Sequence, residues 1–178
     1  MNDKFQFTKL DASTRGLMTE EIQKAQAANQ LYFSTRFTDS GHTRWPEWLL
    51  EAARGHDEHW LAYQLEAAVA MKHLETKAKP TGGYTVAHVP DTAAETMAEG
   101  QFNRFYIAAI CRRAIADSQE TVTVYRAKHR GEPRPESRAL EGTTRSAKQL
   151  LEEVRSKDQS LKCDLLKPNS GLSIDTKA

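Results

Sequence analysis

Only two cysteines, Cys111 and Cys163, occur in the 178 residues, and neither belongs to a CxxC or metal-finger spacing. That excludes a disulfide framework and a thiolate zinc site, and it fits a reducing compartment. Long apolar runs are also missing. None approaches the roughly 18 residues that span a bilayer, and Met1-Asn2-Asp3-Lys4-Phe5 offers no signal-peptide core. No membrane partner is expected, and the expected location is a cytoplasm.

The phosphate-binding patterns GxxxxGK[ST] and GxGxxG are absent, as is the HExxH pair of zinc peptidases. Gly82-Gly83 precedes an expected strand, whereas a phosphate cradle follows a strand and opens a helix, so these glycines read as a turn. An excess of one charge is missing too, with 25 Lys and Arg against 24 Asp and Glu. The near-neutral total hides opposed blocks: residues 1–99 carry ten basic against fourteen acidic residues (−4), residues 100–157 twelve against seven (+5), and residues 158–178 three against three (0). Opposed blocks suit contacts between copies or subunits, while duplex DNA binding usually brings a domain-wide basic excess. Both blocks also read as ordinary solvated faces.

What is present is the pattern of an α+β protein: a helical N-terminal half, a small sheet packed on a buried central helix, and extended arms at 1–18 and 158–178. A helix is expected from Thr19 to about Arg36, with Thr19 as cap and Glu20 and Glu21 facing the positive end of its dipole. Thr38–Thr43 reads as a loop. The next helix has Pro46 in its first turn, presents Trp45, Trp48, Leu49 and Ala52 on one face, and stops at Gly55. Asp57 caps a following helix whose stripe of Trp60, Leu61, Gln64, Leu65 and Ala68 runs on towards Lys77, and the two helices form a hairpin.

Lys79-Pro80-Thr81-Gly82-Gly83 is the clearest break, and a boundary between layers is expected there within a domain running from 19 to 157. Tyr84–Val89 and Thr121–Tyr125 read as strands on either side of a helix from Asp91 to about Asp117, interrupted at Gly100. This order permits a parallel pair, with a third strand from the N-terminal arm or another subunit. A last helix, capped by Ser146, places Ala147, Leu150, Leu151 and Val154 on one face.

Candidate chemistry is thin. His56 and His59 share a helical face without a third ligand, so no metal site is expected. Cys111 lies in a run apolar on every side, where burial raises a thiol's pKa, and Cys163 has no nearby histidine. Phe102-Asn103-Arg104-Phe105-Tyr106 reads as core packing, with Arg104 off the apolar stripe. No catalytic residue, cofactor or metal is assigned, and the chain is not expected to be an enzyme.

The most distinctive feature is the basic cluster Arg126, Lys128, Arg130, Arg134 and Arg138 after the second strand. It can meet carboxylates on a partner or phosphates of nucleic acid, although Glu132, Glu136 and Glu141 interrupt it and Tyr125 alone supplies an aromatic ring.

The stretches Phe102-Asn103-Arg104-Phe105-Tyr106, Cys111-Arg112-Arg113-Ala114, Val124-Tyr125-Arg126-Ala127-Lys128, Pro133-Arg134-Pro135-Glu136-Ser137 and Pro168-Asn169-Ser170-Gly171-Leu172-Ser173 resemble a set of bacterial and prophage-encoded proteins of no known activity. The resemblance covers roughly residues 79–178. It implies a phage-related origin and carries no functional residue across. Joined to the charge blocks, it leads to the expectation of a virion subunit, such as a head-associated capsid or connector component, in the host cytoplasm during assembly and then in the particle. Phe5 and Phe7 would be buried in one neighbour, Leu165, Leu166 and Leu172 in another, and the basic cluster would meet an acidic surface. The alternative is a nucleic-acid-binding, regulatory or host-inhibitor protein acting through residues 126–138.

Overall fold

A computed structural model describes residues 4–129, 131–156 and 163–176. Its elements are α1 (Ala12–Ala27), α2 (Asp39–Gly55), α3 (Glu58–Ala67), β1 (Leu74–Ala78), β2 (Tyr84–His88), α4 (Ala93–Ala116), β3 (Thr121–Arg126), α5 (Pro135–Leu140), β4 (Thr144–Ser146), α6 (Ala147–Arg155) and β5 (Leu172–Thr176). This is an α+β fold. Among the described residues no helix is long and apolar enough to cross a membrane.

The central helix α4 organises the core. Phe102, Phe105, Tyr106, Ile107, Ala109, Ile110 and Cys111 are all buried, so the helix is covered on every side, as its all-round apolar sequence requires. It is continuous through Gly100, where the sequence reading placed an interruption. Helices α1, α3 and α6 pack on it, together with β5. Each presents the stripe its spacing dictates: Met18, Ile22 and Ala25 on α1, Leu61 and Leu65 on α3, and Ala147, Leu150, Leu151 and Val154 on α6.

Caps decide where the helices begin. The Asp11 carboxylate accepts from the Thr14 N–H, so α1 starts seven residues before the expected Thr19 and ends at Ala27, where Asn29 takes a left-handed conformation. The Thr38 hydroxyl accepts from the Gly41 N–H, so the expected loop at 38–43 is the first turn of α2 and Pro46 lies inside the helix. Asp57 and Ser146 cap α3 and α6 as expected, and α2 and α3 form the expected helical hairpin.

The sheets correct the sequence reading most. The stretch expected to extend α3 towards Lys77 is β1, because the helix stops at Ala67 and Val69 turns the chain with a positive φ. β1 and β2 pair antiparallel around Lys79–Gly83, with Gly82 and Gly83 at φ +89° and +77°, so the expected boundary is a hairpin turn. β2 and β3 lie in different sheets and form no parallel pair. β3 is the middle strand of β4-β3-β5, antiparallel to both neighbours. The two strands beside β3 therefore come from residues 144–146 and from residues 172–176, which the sequence reading left as a tail.

Candidate interaction surface

The polar groups of α4 at Asn103 and Arg104 are bonded inside the chain. Asn103 Nδ2 donates to the Leu172 carbonyl at 2.8 Å, and the Ser173 hydroxyl donates to Asn103 Oδ1 at 2.7 Å, which ties β5 to the central helix. Arg104 Nε donates to the Val154 carbonyl at 2.8 Å, near the end of α6. Burial lowers the Arg104 guanidinium to about 10, against the opposing pull of Glu21. Burial likewise pushes the Cys111 thiol up to about 12 and raises Cys163, which is 1% exposed instead of lying in an open tail.

Among the described residues the basic cluster does not form one cationic surface. The Lys128 side chain is 1% exposed and its ammonium sits between Glu95, at 3.0 Å, and Glu99. Arg126 Nε meets Glu141 at 2.9 Å while Nη1 donates to the Ser170 carbonyl. Alternation decides these fates: the chain leaves β3 beside the C-terminal segment, so its side chains turn inward towards α4 and Ser170. Arg134 and Arg138 remain exposed, with Arg134 Nη2 donating to the Pro168 carbonyl. Arg130 lies outside the described residues.

The apolar residues expected to enter neighbouring subunits find partners in their own chain. Phe7 packs against Tyr106 and Phe102, with ring centroids 4.5 and 5.4 Å away, and Phe5 stacks on Phe7. The Phe5 N–H donates to Glu58, a carboxylate whose burial raises its pKa despite that bond. Leu165 and Leu172 are fully buried in the common core, and Leu166 is partly buried against it. The physical reason is that α4 is apolar all round, and Phe7 and β5 cover parts of it that the other helices leave.

No group of three or more potential metal ligands occurs among the described residues. His56 stacks on Trp60 at 4.3 Å, and Asp57 is occupied as the α3 cap. An open cleft of about 230 Å³ lies between residues 32–36, α4 and the C-terminal segment, lined by Tyr32, Ser34, Arg36, Gln101, Leu166 and Pro168. Arg36 in that lining is held by both carboxylate oxygens of Glu75, at 2.6 and 3.0 Å.

The β1–β2 hairpin is different in kind. Tyr84 is 75% exposed, Val86 66% and Leu74 50%. The register pairs Leu74 with His88, Thr76 with Val86 and Ala78 with Tyr84, so these six side chains share one face of the ribbon. The opposite face carries Glu75, Lys77, Thr85 and Ala87, fastened at its base by Arg36. Both faces stand clear of the core, and Val89 is the first buried residue beyond β2. The sequence of β2 is legible as a strand, but this surface is not. The available signal was the turn chemistry of Lys79–Gly83 between two short stretches without helical caps.

No protein-family model, no curated protein and no solved structure matches the chain.

Proposed function

We propose that the protein is a non-catalytic structural subunit that docks other proteins through the β1–β2 hairpin, as a head-associated or connector component of a phage-like particle. The observation that carries this reading is the projecting ribbon with Leu74, Tyr84 and Val86 exposed on one face. An isolated two-stranded hairpin in water is marginal, and a contiguous apolar face on it marks a surface that a partner covers. The buried, mutually satisfied polar groups of α4 and Lys128 support a structural role for the residues that most resemble prophage proteins. The particle assignment rests on that sequence resemblance.

The test is size-exclusion chromatography with light scattering on the full chain, alone and mixed with the products of neighbouring genes. Co-elution with one of them, lost on Tyr84→Ser together with Val86→Ser, is the expected result. A chain that co-elutes with none of them, and whose mass is indifferent to those substitutions, overturns the reading.

A further inference from the structure

The free edge of β2 carries information beyond its apolar face. Two main-chain bonds, from the Val89 N–H to the His73 carbonyl and from the Lys79 N–H to the Gly83 carbonyl, fix the parity of the hairpin ladder. In an antiparallel pair, hydrogen-bonded positions alternate with non-bonded ones. The bonded pairs are therefore Glu75 with Ala87 and Lys77 with Thr85. The N–H and C=O groups of Tyr84, Val86 and His88 consequently point away from β1, along the outer edge. That edge has none of the usual protection. β2 contains no charge and no proline, whereas β1 carries Glu75 and Lys77.

We infer that a second copy of this chain pairs with that edge, β2 against β2, antiparallel about a two-fold axis through Val86. This deepens the docking reading above and rests on it. The pairing places Val86 opposite Val86 and Tyr84 opposite His88 of the other copy, forming up to about six main-chain hydrogen bonds. No like charges meet, because the strand has none. The apolar faces of both ribbons fall on the same side and fuse into one four-stranded platform.

A second observation favours a second copy over an unrelated strand. At the base of the hairpin an open groove of about 540 Å³ is lined by residues that include Glu66, Met71, Lys72, Val89, Pro90 and Asp91. Continuing the two-fold register brings the other copy's Gly83, Gly82 and Thr81 against Val89, Pro90 and Asp91. The incoming tip is a turn with two glycines, so no side chain obstructs it there, and it carries Lys79 towards the exposed acids Glu66 and Asp91. One chain thus holds both a hairpin tip that carries Lys79 and a groove whose rim offers Glu66 and Asp91 beside Lys72, so tip and groove can meet reciprocally across a closed two-fold interface.

The test is light scattering on the full chain over micromolar concentrations. The wild type is expected to double from 20.1 kDa. Val86→Pro removes only an outward N–H and leaves the β1–β2 bonds in place, so it should keep the circular dichroism spectrum while raising the dimer dissociation constant at least about tenfold. Lys79→Glu should weaken the dimer and Lys79→Glu with Asp91→Lys should restore it. Val86→Cys should cross-link to itself under mild oxidation, its Cα atoms lying about 5.5 Å apart, whereas Thr76→Cys, about 14 Å from its symmetry mate, should not. A monomer at all concentrations that still co-elutes with a neighbouring gene product through Tyr84 and Val86 overturns the inference and leaves the docking reading standing. A dimer unaffected by Val86→Pro and by the charge exchange also overturns it, and a monomer that joins nothing overturns both.

Discussion

Lys128 and Glu21 show how single ionisable residues are used in this chain. Lys128 is a cation with 2% exposure, and its attraction to Glu95 and Glu99 offsets the cost of removing its charge from water. Lys128→Ala is expected to destabilise the fold by about 3 kcal/mol, because it removes a buried cation that both Glu95 and Glu99 contact. Arg134→Ala and Arg138→Ala, at exposed positions of the same cluster, should change stability by no more than about 0.5 kcal/mol. Urea denaturation of the three variants checks the contrast, and equal effects would refute the division of the cluster.

Glu21 is 3% exposed, accepts from both Arg155 and Arg112, and lies 3.7 Å from Lys24. Burial alone would raise its pKa, but Arg155, Arg112 and Lys24 outweigh that and hold it below the usual range. A carboxylate lowered on folding adds stability above its unfolded pKa, about 4.3, and that contribution fades as pH falls through the folded value. Glu21→Gln should therefore cost about 1 to 2 kcal/mol at neutral pH, with the gap to wild type closing below about pH 4. Denaturation curves at several pH values read this directly. A gap that widens in acid would show that Glu21 is not the group responsible.

At the scale of elements, the strand β5 depends on one residue just before it. Gly171 sits at φ +65°, and a Cβ added there would lie 2.5 Å from the Lys128 carbonyl oxygen, while its own carbonyl accepts from the Ala127 and Lys128 N–H groups. Gly171→Ala combines left-handed strain with a clash against main chain, and is expected to cost about 2 kcal/mol or more. Leu172→Ala, which opens a cavity without touching the turn, should cost about 2 to 5 kcal/mol. Hydrogen exchange is the sharper probe: Gly171→Ala should lower protection in β3 and β5 before it affects α2 and α3, which do not contact that sheet closely. Uniform loss of protection would contradict this local role.

For the whole molecule, the body and the hairpin are separable in what they contribute. The core runs through α1 to α4, α6, β3 and β5, and no hairpin residue from Leu74 to His88 belongs to it. His73 and Val89 are already bonded across the hairpin's base, so a short Gly-Ser turn can replace residues 74–88 without stretching the chain. That replacement should shift the melting temperature by only about 2 to 4 °C while abolishing co-elution with any partner. A collapse of the far-ultraviolet circular dichroism would mean that the ribbon supports the body instead of serving as its contact surface.

Local sequence determined the parts of this protein whose cause is local. The all-round apolar run at Phe102–Cys111 requires burial wherever it lies, and Asp57 and Ser146 cap helices because their short side chains reach the free N–H groups of the next turn. The turn at Lys79–Gly83 and the strand after it were equally legible, but the strand before it was not, since Leu74–Ala78 is too short to separate from the end of a helix by periodicity. Only the tertiary structure decided which residues face each other across long stretches of chain. It placed Lys128 against Glu95 and Glu99, Asn103 against Leu172 and Ser173, and the two chain ends on α4, contacts between residues whose spacing in sequence carries no periodic signal. It also left Tyr84 and Val86 in solvent, because exposure is set by what the rest of the fold fails to cover.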